Sequence, residues 1–144
     1  MASTGCKSKQ STAGNYSYKT ECLGNSLDGS QTVKAWGTGR DKNEAIESAK
    51  KNALNDLLFK GIIEGKSGFD SRPIIVEVNA RSKYENYFNT FFSKGNDYNL
   101  FVSIDEKKKA YQIIKSRERI TCGIVMKLQS AELKQKMITD GILK

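Results

Sequence analysis

The sequence predicts an α+β fold: an antiparallel β-sheet with about three α-helices packed mainly on one face. Three stretches carry that reading. Thr32 to Gly61 reads as a strand, a glycine turn and a long amphipathic helix. Ile120, Cys122, Ile124, Met126 and Leu128 alternate with period two, the pattern of a half-buried strand. Tyr84, Tyr87, Phe88, Phe91 and Phe92 recur at helical spacing. At 144 residues the chain is the size of one domain.

Residues 1–15 are small and polar without periodicity and read as a flexible leader; residues 16–144 make the domain. Tyr16 to Leu23 alternates as a strand. Asp28-Gly29 is a hairpin signal, so this strand pairs antiparallel with the one starting at Thr32. Val33, Ala35 and Gly37 share one face of the second strand, and Lys34 and Trp36 the other. Gly37-Thr38-Gly39 turns the chain into the helix, with Asp41 as cap and Glu44 three residues on. Ala45, Ala49, Ala53 and Leu57 form its apolar stripe, narrow enough for a sheet to approach closely. Lys60 suits the dipole of the last turn, and Gly61 the left-handed stop.

Residues 61–72 read as a loop, and Pro73 ends any helix there. Ile74 to Val78 is a brief strand or an extended connector. Asn79 is a candidate cap for a second helix running to about Ser93. Its aromatic stripe reads first as core, covering the small-residue face of the main helix. The other reading is an exposed aromatic site. Tyr98 to Ile104 is a strand, Asp105 to Lys109 a charged connection, and Tyr111 to Ile114 a strand with Ser116 to Glu118 as its far end or a bend. Gly123 permits close approach by a neighbour. Ser130 caps the last helix, Leu133, Met137 and Ile138 face inward, and Gly141-Ile142 makes a Schellman stop.

The chemistry is bounded mainly by what is missing. The chain has no histidine, the commonest general base and a frequent zinc ligand. The glycine turn lacks the third glycine of a dinucleotide fingerprint, since position 42 is Lys42. The carboxylates show no paired or metal-ligand spacing. No catalytic residue, metal site or cofactor is therefore expected. Cys22 and Cys122 are either isolated buried thiols or a disulfide pair. The net charge of +8 raises the prior for anionic partners. Its densest group is Lys107, Lys108, Lys109, Lys115, Arg117, Arg119 and Lys127, interrupted by Asp105, Glu106 and Glu118. That group could line up on nucleic-acid phosphates, lie against anionic lipid, or blunt exposed strands.

Ser3-Thr4-Gly5-Cys6, followed by a polar basic tether, resembles the end of a bacterial lipoprotein signal, in which the cysteine becomes the lipid-bearing first residue. No apolar core precedes Cys6, and Ser3 stands where leucine is usual; a trimmed signal with Met1 added accounts for both. The run from Val33 to Ile62, with Gly37, Gly39, Ala45, Ala49 and Ala53, and the terminal Gly141-Ile142, resembles a strand–Gly–helix unit. That unit occurs in small bacterial envelope lipoproteins and in the N-terminal domain of the flagellar protein FlgT. The resemblance implies a non-catalytic structural or adaptor component of a periplasmic or outer-membrane assembly. Its partners would be envelope proteins or further copies of itself, and its membrane contact a lipid on Cys6 alone. The candidate interaction residues are Trp36, Tyr84, Tyr87, Lys107, Lys108, Lys109, Arg117 and Arg119. The alternative is a small basic nucleic-acid-binding module in the cytoplasm.

Overall fold

The computed structural model describes residues 19–65, 72–93, 97–104 and 112–143. The leader with Cys6, the start of the first strand at Tyr16, and the Asp105 to Lys109 connection with Lys107, Lys108 and Lys109 lie outside the described residues.

The fold is α+β as expected, but its sheet is mixed rather than purely antiparallel. Strands β1 (Glu21–Asn25), β2 (Gln31–Gly39), β3 (Glu64–Gly65), β4 (Val102–Ile104), β5 (Gln112–Lys115) and β6 (Ile120–Leu128) run in the order β3-β1-β2-β6-β4, and β5 also pairs β6. All pairs are antiparallel except β1 with β3. The parallel pair forms because the main helix carries the chain back beside β1, inside what reads as a loop. Gly65 is needed there: it has φ +106°, and a Cβ on it would sit 2.2 Å from the Cys22 carbonyl oxygen.

The centre is the β2–β6 ladder, in register from Gln31↔Leu128 to Gly39↔Ile120. Val33, Ala35 and Gly37 therefore share a face with Met126, Ile124 and Cys122. Helix α1 (Lys42–Asn55) covers that face with Ala45, Ala49, Ala53 and Leu54, all fully buried. A Cβ on Gly37 would lie 2.2 Å from the Ala49 nitrogen, so helix backbone rests directly on strand backbone. The two glycines are thus contact points within β2 rather than a turn; the chain turns at Arg40-Asp41. The Asp41 carboxylate accepts the Glu44 N–H at 2.8 Å, the expected cap.

The last turn, Asp56–Lys60, widens into a π turn closed by Gly61 N–H donating to the Asp56 carbonyl at 2.7 Å. Gly61 has φ 83° and ψ 149°, a positive φ that suits glycine but not the left-handed helical stop expected of it. The Leu57 and Leu58 carbonyls accept the Ile74 and Ile75 N–H groups at 3.0 and 2.8 Å. The stretch Ile74 to Val78 is consequently a connector clipped to a helix end and not a strand.

The expected second helix is two: α2 (Ala80–Lys83) and α3 (Glu85–Phe91), broken at Tyr84 (φ −111°). Asn79 makes no side-chain cap and is itself left-handed, with φ 62°. The aromatic stripe is core: Phe88 and Phe91 are buried, while Tyr84, Tyr87 and Phe92 are half-buried against it. Phe88 meets Phe59 edge-on at 5.0 Å between ring centroids.

The expected strand at Tyr98 is a 3₁₀ turn, Asp97–Phe101, with only Val102–Ile104 paired as β4. Three residues per turn bring Tyr98 and Phe101 to the same side, and both are buried. Lys115 pairs Ile120, so Ser116 to Arg119 is a hairpin turn, with Ser116 N–H donating to the Arg119 carbonyl.

Helix α4 (Ser130–Thr139) includes Ser130 as its first residue, so that serine is not the cap; Gln129 holds the position without a side-chain bond. Ile142 N–H to the Met137 carbonyl (2.9 Å) and Gly141 N–H to the Ile138 carbonyl (3.1 Å) complete the Schellman stop. Leu133 and Met137 are buried, but Ile138 is turned outward at 41% exposure. Cys22 and Cys122 are free buried thiols, on strands separated by β2, and do not form the disulfide.

Candidate functional site

The residues singled out in the sequence fall in three places. Trp36 pairs Gly123 on the sheet face turned away from α1, and a Cβ on Gly123 would meet its ring carbons at 2.7 Å. Lys34 Nζ stands 4.9 Å from the indole centroid and bonds Gln112. Trp36 and Val125 are buried yet lie outside the main core cluster, so this second patch belongs to the opposite face. Tyr84 and Tyr87 belong to the aromatic core, and the Tyr87 hydroxyl donates to Asp140 at 2.5 Å. Arg117 and Arg119 are exposed on the β5–β6 turn. Lys127, part of the same basic group in sequence, is paired with Asp28 at 3.4 Å.

Groups with shifted acidity are explained by packing. The Tyr98 hydroxyl is pushed up to about 12, by burial first and then by its bond to the Glu47 carboxylate. Burial alone would raise Glu47, but the Tyr98 hydroxyl and Lys50 outweigh it and hold the carboxyl low. Burial pushes the Cys122 thiol up, partly opposed by Lys42, which makes it a poor nucleophile. The Tyr87 bond, then Lys136, hold Asp140 below the usual carboxylate range. Among the described residues no group of His, Cys, Asp and Glu is placed to hold a metal ion, and no helix is long and apolar enough to cross a membrane.

One cavity differs from the rest. It measures about 410 Å³ and lies between the Gly29 turn, the connector from Arg72 to Val76, and the start of α4. Ala131 N–H donates to the Gly29 carbonyl at 3.3 Å, and a Cβ on Gly29 would press on Ala131, so turn and helix are locked together. Gln31 and Ser130 are among the residues around the cavity, and their Oε1 and Oγ atoms are buried behind its wall without a hydrogen-bond partner among the described residues. Gln31 is 9% exposed; the ladder register points it to the core face, under the end of the sheet. Lys134 and Arg72 supply positive charge.

The connector beside the cavity shows Val76 and Val78 at 73% and 81% exposure, and Leu27 of the adjoining turn is fully exposed. A larger cavity of about 620 Å³ along α1 holds no such orphans, its Glu47 and Tyr98 being bonded to each other.

Sequence reasoning did not find Gln31, Arg72 or Lys134, and read Ser130 as a cap. No motif marks them; they meet only because the β2–β6 register sets the hairpin turn beside α4. Comparison with family models, with curated proteins and with solved structures finds no match, so the site stands on its own geometry.

Proposed function

We propose that this protein is a non-catalytic docking module of a bacterial envelope assembly, tethered by lipid on Cys6, which contacts a partner protein along the Arg72 to Val78 connector. The observation that carries the contact surface is the exposure of Val76 and Val78 on a segment that is not loose. Ile75 between them and the clip is 2% exposed, and the connector amides are bonded to the end of α1. Two apolar side chains held outward on anchored backbone lose little entropy on docking. The resemblance of the Ser3–Cys6 run to a lipoprotein signal supports the tether.

The test is a photo-crosslinking residue at Val78 in the native gene, in growing cells, with Lys115 as control position. A crosslinked band specific to Val78 in the envelope fraction is expected, and intact mass should show lipid on Cys6. A band from neither position, or a soluble protein with a free Cys6 thiol, overturns the reading. A band at the mass of two copies identifies a self-assembling component.

The second reading is nucleic-acid binding, supported by exposed Lys115, Arg117 and Arg119 on one hairpin. A gel shift that weakens steeply with salt favours it, since each phosphate contact releases a counterion.

A further inference from the structure

We infer that the β5–β6 hairpin turn rests on an anionic lipid surface and so directs the apolar connector away from the membrane. The inference builds on the docking reading and deepens it, because it assigns one end of the molecule to lipid and the other to the partner protein.

The central ladder has two ends. One is Gln31↔Leu128, beside the Gly29 turn and the cavity that Val76 lines. The other is Gly39↔Ile120, where Lys115 pairs Ile120 and the β5–β6 hairpin closes. Eight residue steps at about 3.4 Å set these ends about 27 Å apart. Lys115, Arg117 and Arg119 are exposed at the hairpin end and form no ion pair among the described residues. Within the turn only Glu118 opposes them, three cations against one carboxylate. The neighbouring start of α1 adds no net charge: Arg40 is paired with Glu44 at 3.2 Å, and Lys42 follows Asp41. Ser116 N–H donates to the Arg119 carbonyl at 2.9 Å, which fixes the turn that carries the cations. Residues 112–120 contain no aromatic ring on which a base would stack, so the turn offers charge without base recognition.

The second observation is the direction of β1. It runs from Glu21, opposite Lys34, to Asn25, opposite Gln31. The chain therefore enters β1 from the side of the Gly39–Ile120 end, and the segment bearing Cys6 joins the domain on the side of the hairpin. Twelve residues separate Cys6 from Lys19 and span at most about 40 Å. β5 lies three strand spacings from β1, about 14 Å, so a lipid on Cys6 leaves the hairpin within reach of the same surface. Each lysine or arginine at an anionic surface strengthens contact about fivefold, and an excess of two gives about 25-fold. That is weak for a free chain but sufficient to orient a tethered one.

The experiment uses the whole chain with Cys6 coupled to a maleimide lipid in nanodiscs; Cys22 and Cys122 are buried. The discs are phosphatidylcholine with about 30% phosphatidylglycerol and a trace of lipid spin-labelled at the headgroup. Broadening of amide NMR signals reports proximity to the surface. The amides from Lys115 to Arg119 should broaden several-fold more than those from Val76 to Val78. The contrast should vanish in pure phosphatidylcholine, and in about 1 M salt, which cuts the screening length to about 3 Å. Arg117→Gln with Arg119→Gln, both exposed, should remove it while the amide shifts of the β2–β6 ladder stay in place, and Glu118→Gln should increase it.

Equal broadening at the two ends, stronger broadening at Val76 to Val78, or a contrast that persists in neutral discs overturns the inference. So does duplex DNA that shifts the hairpin amides of the untethered chain more strongly than anionic discs at equal phosphate concentration, which would favour the nucleic-acid reading. The lipid is attached chemically, so a free Cys6 thiol in cells would remove the native tether without touching this result. A Val78 crosslink stands whether or not the hairpin meets lipid, and the docking reading and this one fail separately.

Discussion

Single residues show where this molecule trades stability for shape. Gly37 is one: its missing side chain lets the Ala45 and Ala49 backbone sit on β2. Gly37→Ala must push strand and helix apart, since the clash is with backbone and not with a side-chain end. A loss of about 2–3 kcal/mol in urea unfolding is expected, the range of an overpacked core. A change under half a kcal/mol would mean that the helix slides freely. Gln31 is the opposite case. Its partnerless Oε1 is a cost to the free protein, so Gln31→Met, close in volume, should raise stability by about 1 kcal/mol. Equal or lower stability in the same titration would show that the amide is satisfied after all. Nothing in the local pattern marks Gln31; a glutamine opening a strand reads as ordinary surface.

Among elements, those set by local chemistry were legible. The α1 stripe, the Asp41 cap and the Gly141 stop follow from residues within one turn of each other. Elements set by distant partners were not. Tyr98 to Ile104 has strand propensity, yet Tyr98 turns inward to reach Glu47, and the backbone becomes 3₁₀. The π turn after α1 has no signature in DLLFK, because the Ile74 and Ile75 amides that use its carbonyls come from another part of the chain.

The link between α3 and α4 yields a prediction at this scale. Tyr87 donates to Asp140, and Lys136 bridges Asp140 to Asp97. Asp140 is held low in the folded state, so its contribution is present above the unfolded value near pH 4 and is lost as pH falls through the folded value. Tyr87→Phe should cost about 1 kcal/mol at pH 7, reduced by exposure at this site. The variant should also lose less stability than wild type between pH 5 and pH 2, about the same margin. Parallel acid titration curves would remove Asp140 from the account.

At the scale of the whole molecule, one sheet separates two environments. The face under α1 holds the main core, and the other carries Trp36 and Val125 beside Lys34 and Lys127. The class, the strands β2 and β6 and the aromatic core follow from periodicity; that β2 and β6 pair with each other does not, because the alternation marks a strand and not its neighbour. The parallel β1–β3 edge does not, since two residues with Gly65 carry no pattern. Cys22 and Cys122 are both buried and unpaired. In a Cys6→Ser chain, no thiol should react with a bulky thiol reagent until denaturant is added, and then two should. Reductant should leave the melting temperature unchanged. A rise of several degrees without reductant would reveal a bond, which typically contributes about 2–4 kcal/mol.

The central ladder also sets a clock. Every β2–β6 pair joins residues roughly ninety positions apart, so its closure belongs with slow, non-local folding. During synthesis, β2 and α1 leave the ribosome about 5–20 seconds before β6 does. For that interval the edge of β2 that will bond β6 is an open row of amides and carbonyls, and the part of α1 that packs on β6 is uncovered. The nascent chain therefore has a vulnerable period, written into its topology, in which a chaperone or another nascent copy is the only cover on offer.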